Sequence, residues 1–196
     1  SDYGHSTRNI RTRLFGSDIV VENALYTAFR LGLENNQVVA ADALDNIEDF
    51  NMKFDVVILN PPYEKGRDGN GYKPAIYPEF VKKALELSKQ YVVPLTPHKW
   101  THLEKLNEYR DLISESGLSY MKVYSDASDV FPSVEIKGGV SFTILDKAHV
   151  VNSFTYDADG NTKTLSSISE IAPLNEDWVY DLLSKVSVKE SMKSLY

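Results

Sequence analysis

No cysteine occurs in the 196-residue chain, which excludes disulfides, a thiolate zinc site and a cysteine nucleophile. Redox chemistry goes with them, and the composition suits a cytoplasmic protein. Long apolar runs are missing too. Val56-Val57-Ile58-Leu59 and Val92-Val93-Pro94-Leu95 fall far short of the ~20 residues that a membrane-spanning helix needs. No basic stretch followed by an apolar one opens the chain, so no secretory signal is read, and a start at Ser1-Asp2 without Met reads as processed or excised. Positive charge is scarce: 21 Lys and Arg against 28 Asp and Glu leave a formal charge of -7. Affinity for a phosphate backbone comes largely from cations that displace counterions, so any grip on nucleic acid must be local or borrowed. Clusters at Arg8, Arg11 and Arg13 and at Lys65, Arg67 and Lys73 are the local candidates, although such clusters more often form a solvated face.

What is present is a globular composition, 42% hydrophobic, with short apolar runs alternating with longer helical patterns. That alternation is the signature of βαβ units around a parallel sheet buried on both faces. Strands are predicted near 13–19, 37–41, 54–59, 90–95, 119–125 and 139–146. Helical spacing joins Ala24, Leu25, Ala28, Phe29 and Leu31 to Leu33, then Phe80, Val81, Ala84, Leu85 and Leu87, then Leu103, Leu106, Tyr109, Leu112 and Ile113. Gly32 and Gly117 stand where left-handed helix caps are expected. Four residues, Asp146 to His149, separate Val140–Leu145 from Val150–Tyr156, too few for a parallel crossover, so an antiparallel hairpin is expected there. Gly160 should supply positive φ in the turn from Asp157 to Asn161, and Trp178 to Val186 is read as a last helix. The predicted architecture is thus α/β, a doubly wound and mostly parallel sheet with a C-terminal antiparallel hairpin, forming a single domain over 1–196.

The most informative stretch is Phe54 to Leu59, a buried apolar strand, running straight into Asn60-Pro61-Pro62-Tyr63. In open α/β sheets ligands bind beyond the carboxyl ends of strands, so this tetrad lies where a reaction centre is expected. Two consecutive prolines fix φ and hold the preceding residues extended, so the Asn60 side chain and the Pro61 carbonyl form a rigid pair of acceptors. An amino group has two hydrogens to donate. Accepting both draws the nitrogen lone pair out of ring conjugation toward an electrophilic methyl, while Tyr63 offers a face on which a planar base stacks.

On these residues the chain resembles the amino-methyltransferases of restriction-modification systems, specifically the adenine-N6 DNA methyltransferases, whose catalytic motif the tetrad matches. The resemblance covers residues 13–147, with 148–196 as a hairpin and helix extension. It implies S-adenosylmethionine as methyl donor and a flipped adenine in double-stranded DNA as acceptor. Asp18, ending Phe15-Gly16-Ser17-Asp18, matches the acidic residue that binds the cofactor ribose. Asp42, in Ala41-Asp42-Ala43, matches the aspartate that hydrogen-bonds the cofactor adenine, with Ala43 beside it. Phe131, in Asp129-Val130-Phe131-Pro132, matches the residue that packs on the other face of the flipped base. Pro94 to Trp100 is expected to line the cleft, with no role assigned to His98, Lys99 or Trp100.

One departure stands out: the family's glycine-rich cofactor loop, Asp-Pro-x-x-Gly-x-Gly after a central first strand, has no counterpart here. The chain is therefore read as cut just inside that loop, with weak or absent cofactor binding of its own. A sheet without its middle strand leaves edges unpaired, so an N-terminal segment, a second copy or a partner chain is expected to complete it. Alternatives stay open: the same tetrad suits a glutamine amide in protein or an amine in RNA, and the acidity and missing loop suit a non-catalytic binding subunit.

Overall fold

Runs of three to six apolar residues bury little by themselves, and two of them pair in parallel only where a crossover returns the chain alongside its start. The computed structural model describes residues 11–34, 36–44, 52–66, 73–132 and 136–171. It divides into two compact units, Ser1–Lys53 and Phe54–Tyr196.

The first unit is one βαβ element: β1 (Gly16–Asp18), α1 (Val21–Leu31) and β2 (Val38–Ala40), with β1 and β2 parallel and Asp18 level with Ala40. Gly32 ends α1 as expected, with a φ of 63° that lets its N–H reach the carbonyls of Ala28 and Phe29. Ala24 and Ala28, one turn apart, are its buried residues. The Gln37 amide ties the strands' entry together by donating to the carbonyls of Arg11 and Leu14, both at 2.8 Å.

In the second unit the chain forms β3 (Phe54–Leu59), α2 (Tyr77–Leu87), β4 (Ser88–Pro97), α3 (Asn107–Glu115), β5 (Leu118–Tyr124), β6 (Val140–Asp146), β7 (Phe154–Ala158) and β8 (Asn161–Leu165). The sheet order is β3-β4-β6-β5-β7-β8. β3 and β4 are parallel, as are β5 and β7, and β6 runs antiparallel to both of its neighbours, β4 and β5. The carboxyl ends of β3, β4, β5 and β7 therefore share one edge, where Asn60, His98 and Ser125 emerge. Pro78 in the first turn of α2 suits a start that has no N–H partner to lose. Over the sheet lies a core built from Tyr77, Val81, Val92, Trp100, Tyr109, Ile113, Met121, Val123 and Leu145.

Two expectations need correction. β6 does not form a hairpin with the segment that follows it, because both of its edges are already taken by β4 and β5. Val150 and Val151 are loop residues, 89% and 60% exposed, and the chain passes them before entering β7 on the far side of β5. The antiparallel hairpin is β7–β8, closed by Asp159 (φ 49°) and Gly160 (φ 85°), the two left-handed residues that a type I′ turn requires. Second, the strand 54–59 is not buried: Val56 is 47% and Ile58 74% exposed. Val56 and Ile58, two apart, share one face of the sheet, and that face is the open one; β3 also has β4 on one side and no strand on the other among the described residues. Among the described residues β1 pairs with β2 alone. The predicted helix at 178–186 lies outside the described residues.

Gly117 makes a test of this packing. Its φ is +79°, and a Cβ there would sit 2.0 Å from the backbone oxygen of Asp146. Gly117→Ala should lower stability by about 2–4 kcal/mol, of which the left-handed conformation accounts for about 1–2. Gly160→Ala, with a similar φ and open space around it, should lose only the conformational part. Urea midpoints of the two variants check the difference, and equal losses would contradict the packing described.

Candidate active site

Pro61 and Pro62 stop β3 because neither can donate to a ladder, and the chain leaves the sheet with Pro61 buried and Asn60 exposed. The Tyr63 hydroxyl donates to Asn60 Oδ1 at 3.1 Å. A carbonyl oxygen has two lone pairs, so Asn60 retains acceptor capacity for a second N–H. Half-burial pushes the Tyr63 phenol up to about 12, so it stays a neutral donor throughout the working range of pH.

Beyond the tetrad the backbone is pinned. Ile76 N–H donates to the Tyr63 carbonyl at 3.2 Å, Lys65 N–H donates to that of Pro74 at 2.9 Å, and Glu64 bridges Ala75 in antiparallel fashion. Rings fix the tyrosine from behind. Tyr63 meets Tyr77 edge to face at 6.4 Å, Tyr77 meets Tyr109 at 5.4 Å, and Tyr109 meets Trp100 at 5.3 Å. Such contacts are directional as well as apolar, so the ladder transmits the rigidity of the core to Tyr63. Burial raises the phenols of Tyr77 and Tyr109 as well, so neither ionises.

Trp100 and His98 do not line a cleft. Both are fully buried, and the Trp100 indole donates to Ser141 Oγ at 3.2 Å while its carbonyl accepts from Arg110 at 2.8 Å. Lys99 between them reaches outward, with its Nζ 3.7 Å from Glu64 Oε1. Phe131 is half-buried at the same edge of the sheet, its N–H donating to the Ala127 carbonyl at 2.8 Å. It follows β5, three inter-strand steps from β3, or about 14 Å. The loop from Tyr124 to Val140 must cover that span for Phe131 to face Tyr63, and residues 133–135 lie outside the described residues.

In the first unit the two aspartates end neighbouring parallel strands. Asp18 Oδ1 accepts the Val20 N–H at 2.8 Å and Asn23 Nδ2 at 3.4 Å, while Asp42 Oδ1 accepts the Leu44 N–H at 2.9 Å. These are the local turn bonds of strand-end acids, made in each case through Oδ1 among the described residues. Such carboxylates keep acceptor capacity beyond those bonds, so the donor set fits a ligand bearing hydroxyls and an amine. Ala43 follows Asp42 at the start of that turn.

Comparison with known proteins resolves which fold family this is. A family model for the Eco57I restriction-modification methylase matches residues 5–131, well over half of the chain. The chain belongs to that family. An uncharacterized adenine-specific methylase of Mycoplasma pneumoniae is 40% identical over 100 residues, covering 47% of this chain and 24% of the methylase. The chain thus spans about a quarter of the length of that relative. Among solved structures, the methyltransferase subunit of a type I restriction-modification system from Streptococcus thermophilus superposes with a TM-score of 0.59 at 17% identity, covering 78% of this chain and 38% of that one. A Listeria monocytogenes protein described as a class I S-adenosylmethionine-dependent methyltransferase gives 0.54 at 17% identity, over 87% and 53%. The fold is the class I S-adenosylmethionine methyltransferase fold.

Sequence reasoning missed Tyr77, Tyr109 and the Glu64–Lys99 contact as supports of the tetrad. Tyr77 carried a signal, since it stands four residues before Val81 and seven before Ala84 on the buried stripe of α2. Glu64 carried none.

Proposed function

We propose that the chain is the catalytic part of an adenine-N6 DNA methyltransferase of a restriction-modification system, in which Asn60 and the Pro61 carbonyl accept the two hydrogens of a flipped adenine's amine. The observation that supports this most is the Asn60–Tyr63 pair, an exposed acceptor and a half-buried ring held together at 3.1 Å beyond the end of a parallel strand. An adenine amine is hidden in duplex DNA, so the base must leave the stack to reach Asn60. Tyr63 stacks on one face of the extruded ring and Phe131 on the other. Asp18, Asp42 and Ala43 hold S-adenosylmethionine, which supplies an electrophilic methyl when bound. The protein's share of catalysis is then positioning: the amine is turned so that its lone pair points in line with that methyl.

The open edges of β1 and β3 belong to the same reading. An open edge leaves a row of N–H and C=O groups unpaired, so further strands, from the same polypeptide or from a partner, pair with β1 and with β3 in the working protein.

The decisive assay supplies S-adenosylmethionine labelled in its methyl group to the protein as encoded, with duplex DNA, structured RNA and protein offered separately. Label in DNA recovered as N6-methyladenine is the expected result. Label confined to RNA or to protein glutamine would refute the assignment of substrate, and no transfer to any of the three would refute the activity.

A further inference from the structure

The residue that follows the tetrad is an acid held between two lysines from distant parts of the chain. Lys73 Nζ lies 3.6 Å from Glu64 Oε2 and Lys99 Nζ lies 3.7 Å from Glu64 Oε1, one ammonium to each oxygen. Lys99 comes from the turn after β4. Lys73 comes from the return segment that the Lys65–Pro74 and Glu64–Ala75 backbone contacts hold against the tetrad's exit. Two more lysines stand close by along the backbone. Lys65 follows Glu64 directly, and Lys137 precedes Gly138, whose Cβ position is 3.8 Å from the Lys99 Cβ. Two lysines therefore hold one carboxylate beside the tetrad, a local excess of positive charge in a chain whose formal charge is -7.

Stability gives little reason for this arrangement. The three side chains of the ion pairs are 36–46% exposed, and pairs of that kind contribute on the order of 0–1 kcal/mol. The local excess of positive charge has a different use. A phosphodiester presents two unesterified oxygens that share one negative charge, the same two-oxygen anion that Glu64 presents to the lysines. Lysine binds phosphate as a point charge on a flexible stem and needs no fixed fork geometry, so exchanging one such anion for another requires only rotation of the Glu64 side chain.

We propose that Lys73 and Lys99 form a binding site for a backbone phosphate of the DNA strand that carries the target base, and that Glu64 fills this site until the phosphate displaces it. The inference rests on the reading of the chain as a DNA methyltransferase and adds the point at which an acidic protein grips its substrate. Because a resident carboxylate must be displaced, binding is weakened wherever the backbone does not come close to the tetrad. Glu64 thus discourages non-productive contact.

Salt dependence of duplex binding tests this. Each neutralised phosphate adds about 0.9 to the slope of log affinity against log salt on B-DNA, so the double variant Lys73→Ala/Lys99→Ala in the protein as encoded should reduce the slope by about 0.9, and either single variant by part of that. Glu64→Gln should tighten binding at low salt, and Lys82→Ala on α2 should change neither quantity. Methyl transfer is measured on the same samples. Methylation of DNA with slopes unmoved by the two lysine variants would overturn the phosphate site and leave the activity standing. Reduced slopes without methyl transfer to DNA would support the site and sink the activity. No duplex binding, or binding to RNA alone, would overturn the site.

Discussion

Asn60→Ala is expected to lower kcat for DNA methylation by about 10²- to 10³-fold, the loss typical when one group poised for the transition state is removed. KM should change little, because the amine's lone pair is drawn into line most strongly as the methyl moves, so the contact counts chiefly in the transition state. Asn60 is exposed and its side chain bonds to Tyr63, so the substitution leaves the core intact and the loss reads chemistry, not folding. Two companions separate the roles. Asn60→Asp keeps acceptor oxygens at the same position and should recover part of the rate. Tyr63→Phe removes only the hydroxyl that steadies Asn60 Oδ1 at 3.1 Å while keeping the ring on Tyr77, and should cost less than Asn60→Ala. Equal losses in Asn60→Ala and Tyr63→Phe would mean that the asparagine acts only by holding the tyrosine, and the acceptor role would fall.

The tetrad was legible because everything that shapes it is local. An apolar strand, two prolines and an aromatic residue follow one another, and the observed strand Phe54–Leu59 has the predicted bounds. Gly32, Gly117 and Gly160 were legible for the same reason, as positive φ at a turn is a property of a few neighbouring residues. Strand order is not local. The four-residue link after β6 reads as a hairpin because sequence carries no sign that β5 has already taken one edge of β6 and β4 the other. Nor does an apolar strand announce which of its faces lacks a cover, which is why Ile58 was expected inside and stands 74% exposed. The Lys99–Glu64 contact has the same character, since 35 positions separate its residues and only the pairing of β3 with β4 brings them together. The strand and turn that place Asn60 were readable in the order of residues, whereas the ion pairs beside them required the sheet.

His98 carries the second large effect, on stability. The residue follows the last proline of β4, is 0% exposed, and is held by its backbone N–H, which donates to the Gly139 carbonyl at 3.0 Å. Neither ring nitrogen has a hydrogen-bond partner among the described residues. Thr96 and Thr143 are buried with it, the Tyr156 ring lies 6.5 Å away, and His102 adds like charge. Burial first, and His102 second, push the imidazole down from its ordinary value to about 3. In the unfolded chain the same group titrates near ~6.5, so between these values the unfolded state holds a proton that the folded state refuses. Stability should then be indifferent to this group above pH ~6.5, fall by up to about 1.4 kcal/mol per unit as pH drops below it, and level off near the folded value. Between pH 6.5 and 4.5 the loss is on the order of 2 kcal/mol, a large part of the roughly 5–15 kcal/mol that holds an ordinary domain. His98→Leu removes both the proton and two buried polar atoms that lack partners, and an apolar replacement at such a position is close to neutral at pH 7.5. Urea midpoints of the protein and the variant, taken from pH 7.5 to 4.5, should therefore diverge, with the variant losing less. Parallel curves would show that the buried imidazole takes up its proton in the folded state, and that its surroundings accommodate the charge.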